Sequence, residues 1–256
     1  MHSGMQATAA ASTAPSSVYV IQGREVRLPV EVRDASAGVA TFVVPSSAAR
    51  RLIPHDGLDV AEILPGRTLC SLAAIVYRDN DLGRYNEVSI TFFVRERVAA
   101  RRVPYLSTAS DFFRGRVGTY IHWLPVTGSF TCDAGRTLWG FPKTVEDIDI
   151  TTPGDRAVCT LVAGGVHVLT LSVPRGGTRT MPETPMLTYT VIDGALHKTA
   201  FTQAGTGLGF RLGGARLSLG PHPYADQLRS LGLPKRAVMN MWTERMHGRF
   251  EAATRV

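Results

Sequence analysis

From Val18 onward the apolar positions fall in short runs separated by turn residues. The runs are VYVI at 18–21, EVRLPVEVR at 25–33, GVATFVV at 38–44, LCSLAAIVYR at 69–78 and EVSITFFVRE at 87–96. They continue with AVCTLVA at 157–163, VHVLTLSV at 166–173, MLTYTVI at 186–192 and LGFRLGGARLSL at 208–219. All are rich in Val, Ile, Thr and aromatic residues and bounded by Gly, Pro, Asp or Asn, the pattern of strands packed on a pleated surface. The connections are too short to hold a helix between each pair. The pattern therefore predicts a mainly β protein, with a curved antiparallel sheet closing into a cone-like or barrel-like structure rather than a doubly wound parallel sheet.

Helical signals are fewer and peripheral. PSSAARRLIP at 45–54 offers a serine cap before Ala and Leu, and DQLRSLGL at 226–233 ends near a glycine. The segment PKRAVMNMWTERMHGRFEAA, 234–253, begins with proline and places Val238, Met241, Trp242, Met246 and Phe250 near helical spacing. It predicts a C-terminal helix whose Met and aromatic stripe is a packing face. The glycine-rich GTGLGF at 205–210 does not complete G-x-G-x-x-G and reads as a turn.

Composition narrows the class. A chain of 256 residues with 44% hydrophobic and 19% charged residues can bury a substantial core, and no apolar run approaches the roughly 20 residues that span a bilayer. The expected organisation is a disordered arm over residues 1–17 and a single domain over 18–256. A formal charge of +7 would permit polyanion binding, but the arginines are scattered, with Arg50–Arg51 and Arg101–Arg102 the densest pairs. No nucleic-acid or membrane partner is expected. Cys70, Cys132 and Cys159 are odd in number and widely spaced, which predicts buried thiols in a reducing, cytoplasmic setting. The histidines lack metal-binding spacing, so neither a metal nor a cofactor is expected.

Charge also isolates one residue. Of the 28 basic residues, only Lys143, Lys198 and Lys235 are lysines. Lys143 lies in GRTLWGFPKTVED, 135–147, behind a tryptophan, a phenylalanine and a proline. Were 137–143 extended, Trp139, Phe141 and Lys143 would share one face, setting the amine against two aromatic rings. A free lysine has a pKa of about 10.4, so at pH 7 only about one amine in a few thousand is neutral and nucleophilic. Desolvation disfavours the ammonium, and a shift of roughly 3–4 units, near 5 kcal/mol, makes the amine half neutral at pH 7. The plainer alternative is a lysine that lays its methylenes on apolar surface and keeps its head in water.

The segment GRTLWGFPK, 135–143, resembles the signature of the acetoacetate decarboxylase family, in which Gly-Arg-Glu, an aromatic or small pair and Pro-Lys carry a Schiff-base lysine. LGRYNE at 82–87 is similar to the family's Gly-x-Tyr-x-Glu segment, GTYIHW at 118–123 to its Gly-x-Tyr-x-His strand, and HPYADQLRSLGLP at 222–234 to its C-terminal segment. The resemblance runs from about Val18 to Phe250. It implies that Lys143 forms an imine with a β-keto acid and that Glu87 positions substrate or handles protons. It also implies that Arg24 holds the substrate carboxylate, and Trp123, Trp139 and Phe141 are the residues expected to shape the pocket around it. Acetoacetate or a bulkier β-keto acid is then the expected substrate, and a homo-oligomer the expected assembly. Aldol and dehydration chemistry through the same lysine is the runner-up, followed by a non-catalytic ligand binder. Three positions depart from the family pattern: Thr137 replaces its glutamate, Thr144 its second lysine, and Leu72 falls where a second pocket glutamate is expected. Residue 144 would face away from Lys143, which makes that loss tolerable if desolvation dominates.

Overall fold

The computed structural model describes residues 17–97 and 117–256. Residues 1–16 of the expected arm and the Arg101–Arg102 pair lie outside them. A hairpin of β1 (Val18–Ile21) and β2 (Arg24–Arg27) leads into the long strand β3 (Val30–Pro45), the short helix α1 (Ser46–Arg51), and β4 (Leu58–Val60) and β5 (Glu62–Leu64). Two long strands follow, β6 (Arg67–Asn80) and β7 (Tyr85–Glu96), then β8 (Gly118–Val126), helix α2 (Ser129–Trp139) and β9 (Lys143–Val145). Next come β10 (Asp147–Thr151), β11 (Arg156–Ala163), β12 (Val166–Pro174), β13 (Arg179–Ile192), β14 (Ala195–Arg211) and β15 (Arg216–Leu219). Helix α3 (Pro223–Ser230), β16 (Met239–Phe250) and β17 (Thr254–Arg255) complete the chain.

Seven of these strands close a barrel in the order β7-β6-β3-β16-β14-β13-β8, sealed by pairing of β7 with β8. The closed, strongly curved sheet expected from the strand pattern is present, with three helices around it among the described residues. Most pairings are antiparallel, but β8 runs parallel to both β13 and β9, so the barrel is mixed. Where the ladder is regular, period-2 alternation divides a barrel strand between two environments. On β6, Ser71, Ala73, Ile75 and Tyr77 face the interior, while Cys70, Leu72 and Ala74 face outward into a second core. There they meet Leu161, Leu169, Leu171 and Val173 of the four-stranded sheet β10-β11-β12-β15, together with Leu228 of α3. Closing the sheet removes exposed edges, and the second sheet buries the barrel's apolar outer flank.

Segment 234–253, expected to be helical, is mainly the strand β16, so the C-terminal helix is α3, within the segment 226–233 and its preceding turn. β16 pairs with β14 on one side and β3 on the other. Register shifts between Thr243, Met246 and Gly248 interrupt its period-2 alternation. Met239, Met241, Met246 and Phe250 all reach the interior, but spaced unevenly. The bulges thus give a strand the spacing of a helix, and two flanking strands override local propensity. No helix among the described residues is long and apolar enough to cross a membrane. Cys70, Cys132 and Cys159 are free and buried.

Candidate active site in the barrel interior

The interior holds a cavity of about 280 Å³. Its walls are mostly aliphatic and aromatic, and Lys143 and Glu87 are the charged residues among those described as lining it. Both are almost fully enclosed, with side-chain exposures of 3% and 7%. Lys143 Nζ lies 3.0 Å from Glu87 Oε2 and donates to Thr131 Oγ1 at 3.3 Å. The hydroxyl of Tyr77 donates to Glu87 Oε1 at 3.3 Å, and Nζ stands 5.1 Å from the centre of the Tyr85 ring. The two tyrosine rings stack at 4.5 Å.

The motif around Lys143 has a mechanical explanation. Helix α2 ends at Gly140, whose φ of 63° is left-handed, and the Gly140 and Phe141 amides close back on the Arg136 and Gly135 carbonyls. After this turn Pro142 leads the chain into β9, where Lys143 sits opposite Leu124 of β8. The lysine stem then crosses the surface of α2 at Gly135, where an added Cβ would stand 2.5 Å from Lys143 Cδ. Arg136 Nε donates to the Lys143 carbonyl at 2.7 Å. Gly135 thus makes room for the lysine and Arg136 holds its backbone.

Segment 137–143 is not extended throughout, because Thr137, Leu138 and Trp139 finish α2. Trp139 and Phe141 nonetheless line the cavity with Lys143, their rings 5.2 Å apart. Trp123 is a correction. It is buried on the outer face of β8, stacked at 3.6 Å on Tyr224 of α3, with Nε1 donating to Thr144 Oγ1 at 2.9 Å. Thr119 and Ile121 face the cavity, and the register shift between β7 and β8 at this point breaks the alternation, so that Leu124 rather than Trp123 takes the next inward place. The same contact puts Thr144 on the opposite face from Lys143. Arg24 is also displaced from its expected place: it is exposed on the β1–β2 hairpin, its guanidinium 4.0 Å above the Phe130 ring, and does not line the cavity. Leu72 faces outward as well; opposite Glu87 on β6 stands Ile75. Tyr77, Tyr85 and Thr131 complete the polar cluster. Tyr85 was legible as the tyrosine of the Gly-x-Tyr-x-Glu segment, whereas nothing local marked Tyr77 or Thr131.

Electrostatics differ from the expectation of a depressed lysine. Burial pushes the Lys143 amine down, but the Glu87 carboxylate, Tyr85 and the hydrogen bond to Glu87 outweigh it, leaving its pKa above the ordinary value. The pairing with Glu87 thus favours the ammonium form of the amine, the opposite of the direction expected from desolvation alone. Burial, reinforced by Glu87, raises Tyr77 well above its usual range. Burial likewise lifts Tyr85 to about 12, opposed by Lys143. Both phenols remain protonated at neutral pH.

Fold and site define a closed β-barrel with a buried lysine–carboxylate pair at the wall of an apolar internal cavity. The family model described as acetoacetate decarboxylase (ADC) matches residues 17–248, and the chain belongs to that family. Acetoacetate decarboxylase 2 of Mesorhizobium japonicum is 39% identical over 61 residues, a stretch spanning 24% of this chain and 23% of that relative. Among solved structures, acetoacetate decarboxylase from Legionella pneumophila superposes with a TM-score of 0.66 at 15% identity, covering 98% of each chain. The enduracididine biosynthesis enzyme MppR, complexed with pyruvate, superposes with a TM-score of 0.58 at 16% identity, covering 89% of this chain and 90% of its own. These two likenesses are of fold.

Proposed function

We propose that this chain is a Schiff-base-forming enzyme that decarboxylates acetoacetate or a bulkier β-keto acid, with Lys143 as nucleophile and Glu87 as its proton acceptor. The observation that carries the reading is the 3.0 Å Lys143–Glu87 pair inside an apolar cavity. Proton transfer from Nζ to Glu87, 3.0 Å away, frees the amine for attack. The amine adds to the keto carbon, and the carbinolamine loses water to give the protonated imine. The carbon–carbon bond to the carboxylate then breaks, its electron pair flows into the iminium, and carbon dioxide leaves. The resulting enamine takes a proton at carbon, and water hydrolyses the imine to release a ketone and regenerate the amine. Tyr85, kept protonated by burial and engaged with Lys143, is the candidate donor for these proton returns. Trp139 and Phe141 exclude water and support substrate binding.

Incubation with acetoacetate followed by borohydride should attach the substrate remnant to the peptide containing Lys143, and Lys143→Arg should abolish both adduct and turnover. Failure of every keto acid tested to form an adduct would overturn the proposal and favour a non-catalytic ligand binder. A second reading is condensation and dehydration of keto acids through the same lysine, with the Tyr85 phenol, whose ring centre lies 5.1 Å from Lys143 Nζ, as the candidate acid for the departing hydroxyl. MppR, which shares the fold, has been solved with the condensation product of pyruvate and imidazole 4-carboxaldehyde. Measuring carbon dioxide release against new carbon–carbon bonds separates the two. The assembly implied by the family is a homo-oligomer, which sedimentation velocity checks.

A further inference from the structure

The cavity extends well past the Lys143–Glu87 pair. On β7 the inward positions run from Glu87 through Ser89 to Thr91, and four residues of extended strand cover about 13 Å. At the far end Thr91 stands opposite Ser71, and Ser71 opposite Thr41, so three adjacent strands place a hydroxyl in one row. All three line the cavity. Between this row and Glu87 the inward residues of β3 and β6 are Val39, Ala37, Ala73 and Ile75, an apolar stretch that Met241 of β16 joins opposite Val39.

The row retains hydrogen-bonding capacity. Thr41 Oγ1 and Ser71 Oγ share one bond at 2.9 Å, which uses one of their two protons, and Thr91 Oγ1 donates to the Ser71 carbonyl at 3.4 Å. Each hydroxyl has one proton and two lone pairs, so a proton and several lone pairs remain for a ligand. Among the described residues of the lining, no charged side chain joins the row. A charged ligand terminus would lie there unpaired, whereas a neutral polar one is matched.

We infer that the substrate is an elongated keto acid: its keto carbon meets Lys143, a medium-length apolar chain fills the stretch beside Ala37 and Ala73, and a neutral hydrogen-bonding group ends at Thr41, Ser71 and Thr91. A four-carbon acid reaches only the lysine end and leaves the hydroxyl row unfilled. This rests on the reading of Lys143 as the imine-forming residue, and the test separates the two claims.

Calorimetric titration with the unreactive analogues 3-hydroxybutanoate, 3-hydroxyoctanoate and 3,8-dihydroxyoctanoate measures the row without imine chemistry. Affinity should rise along that series, with the terminal hydroxyl adding about fivefold, as one neutral hydrogen bond does. Thr91→Val and Ser71→Ala should each reduce the ratio between the last two ligands. Equal affinity for the last two, or variants that leave their ratio unchanged, would overturn the inference. In parallel, borohydride trapping with 8-hydroxy-3-oxooctanoate reports on Lys143. An adduct without any dependence on the terminal hydroxyl sinks the hydroxyl row alone, and hydroxyl-dependent binding without an adduct sinks the imine reading alone.

Discussion

At the scale of the residue, the site depends on two buried charges that hold each other. Removing one partner of such a pair leaves the other uncompensated, so Glu87→Ala should cost about 3–5 kcal/mol in urea unfolding. The double change Glu87→Gln with Lys143→Met should cost far less, because no charge is stranded. Glu87→Gln alone removes the largest influence raising the Lys143 pKa and leaves desolvation in place. The pH midpoint of imine formation should therefore move to lower pH, even as the rate falls for want of a proton acceptor. The folded lysine titrates above its ordinary 10.5, so the stability that the pair contributes is present below that pH and is lost as pH rises through the folded value. Tyr85 acts in the same direction: unfolded it loses its proton near 10 and folded near 12, so stability should fall across that interval. Unfolding midpoints measured from pH 8 to 12 check both signs, and a rise in stability above pH 10 would contradict them. Gly135→Ala supplies a second check. Alanine is worth about 0.5–1 kcal/mol more than glycine within a helix, yet here its Cβ would strike the Lys143 stem. The change should slow adduct formation by more than about tenfold and become stabilising when Lys143 is replaced by alanine.

At the scale of the element, strands were legible where alternation was regular and misleading where it was not. β11 alternates buried and half-buried residues throughout, β7 does so over most of its length, and both were expected nearly to their observed limits. β16 was hidden because its bulges change the spacing of Met241, Met246 and Phe250, and only its pairing with both β3 and β14 makes it a strand. Trp139 and Phe141 were placed beside Lys143 by an argument from extended backbone, although a helix end and a left-handed glycine bring them there. Trp123 lies outside because the register shift after Ile121 interrupts the alternation of β8, a feature that no local pattern in the sequence announces. Leu72 failed similarly, since a one-residue difference in register moves a side chain to the other face. The β14–β16 seam yields an element-level prediction. A Cβ at Gly205 would collide with the Arg245 carbonyl, so Gly205→Ala should destabilise by about 1–3 kcal/mol in denaturant titration. An unchanged midpoint would show that the seam is looser than described.

At the scale of the whole molecule, closure is what turns a sequence motif into a site. The signature residues lie on β7, α2 and β9, and the barrel brings them to one wall of a shared interior. The closed sheet and the lysine were legible, because one follows from strand pattern and the other from a short, distinctive string. The cavity's length, the inward hydroxyls and the upward push of Glu87 on the Lys143 pKa were not, because each depends on strands far apart in sequence. Arg24, expected in sequence as a carboxylate clamp, stacks on Phe130 outside the cavity, so in the proposed reaction a substrate carboxylate would have Lys143 as its cationic partner among the described lining residues. Expulsion of carbon dioxide relieves that poorly solvated charge, which suits decarboxylation. The central claim is tested most directly by the mass of the Lys143 peptide after turnover with acetoacetate and reduction with borohydride. The account predicts an isopropyl adduct on Lys143, the remnant of a substrate that has already lost carbon dioxide; an unmodified Lys143, or an adduct confined to Lys198 or Lys235, would contradict it.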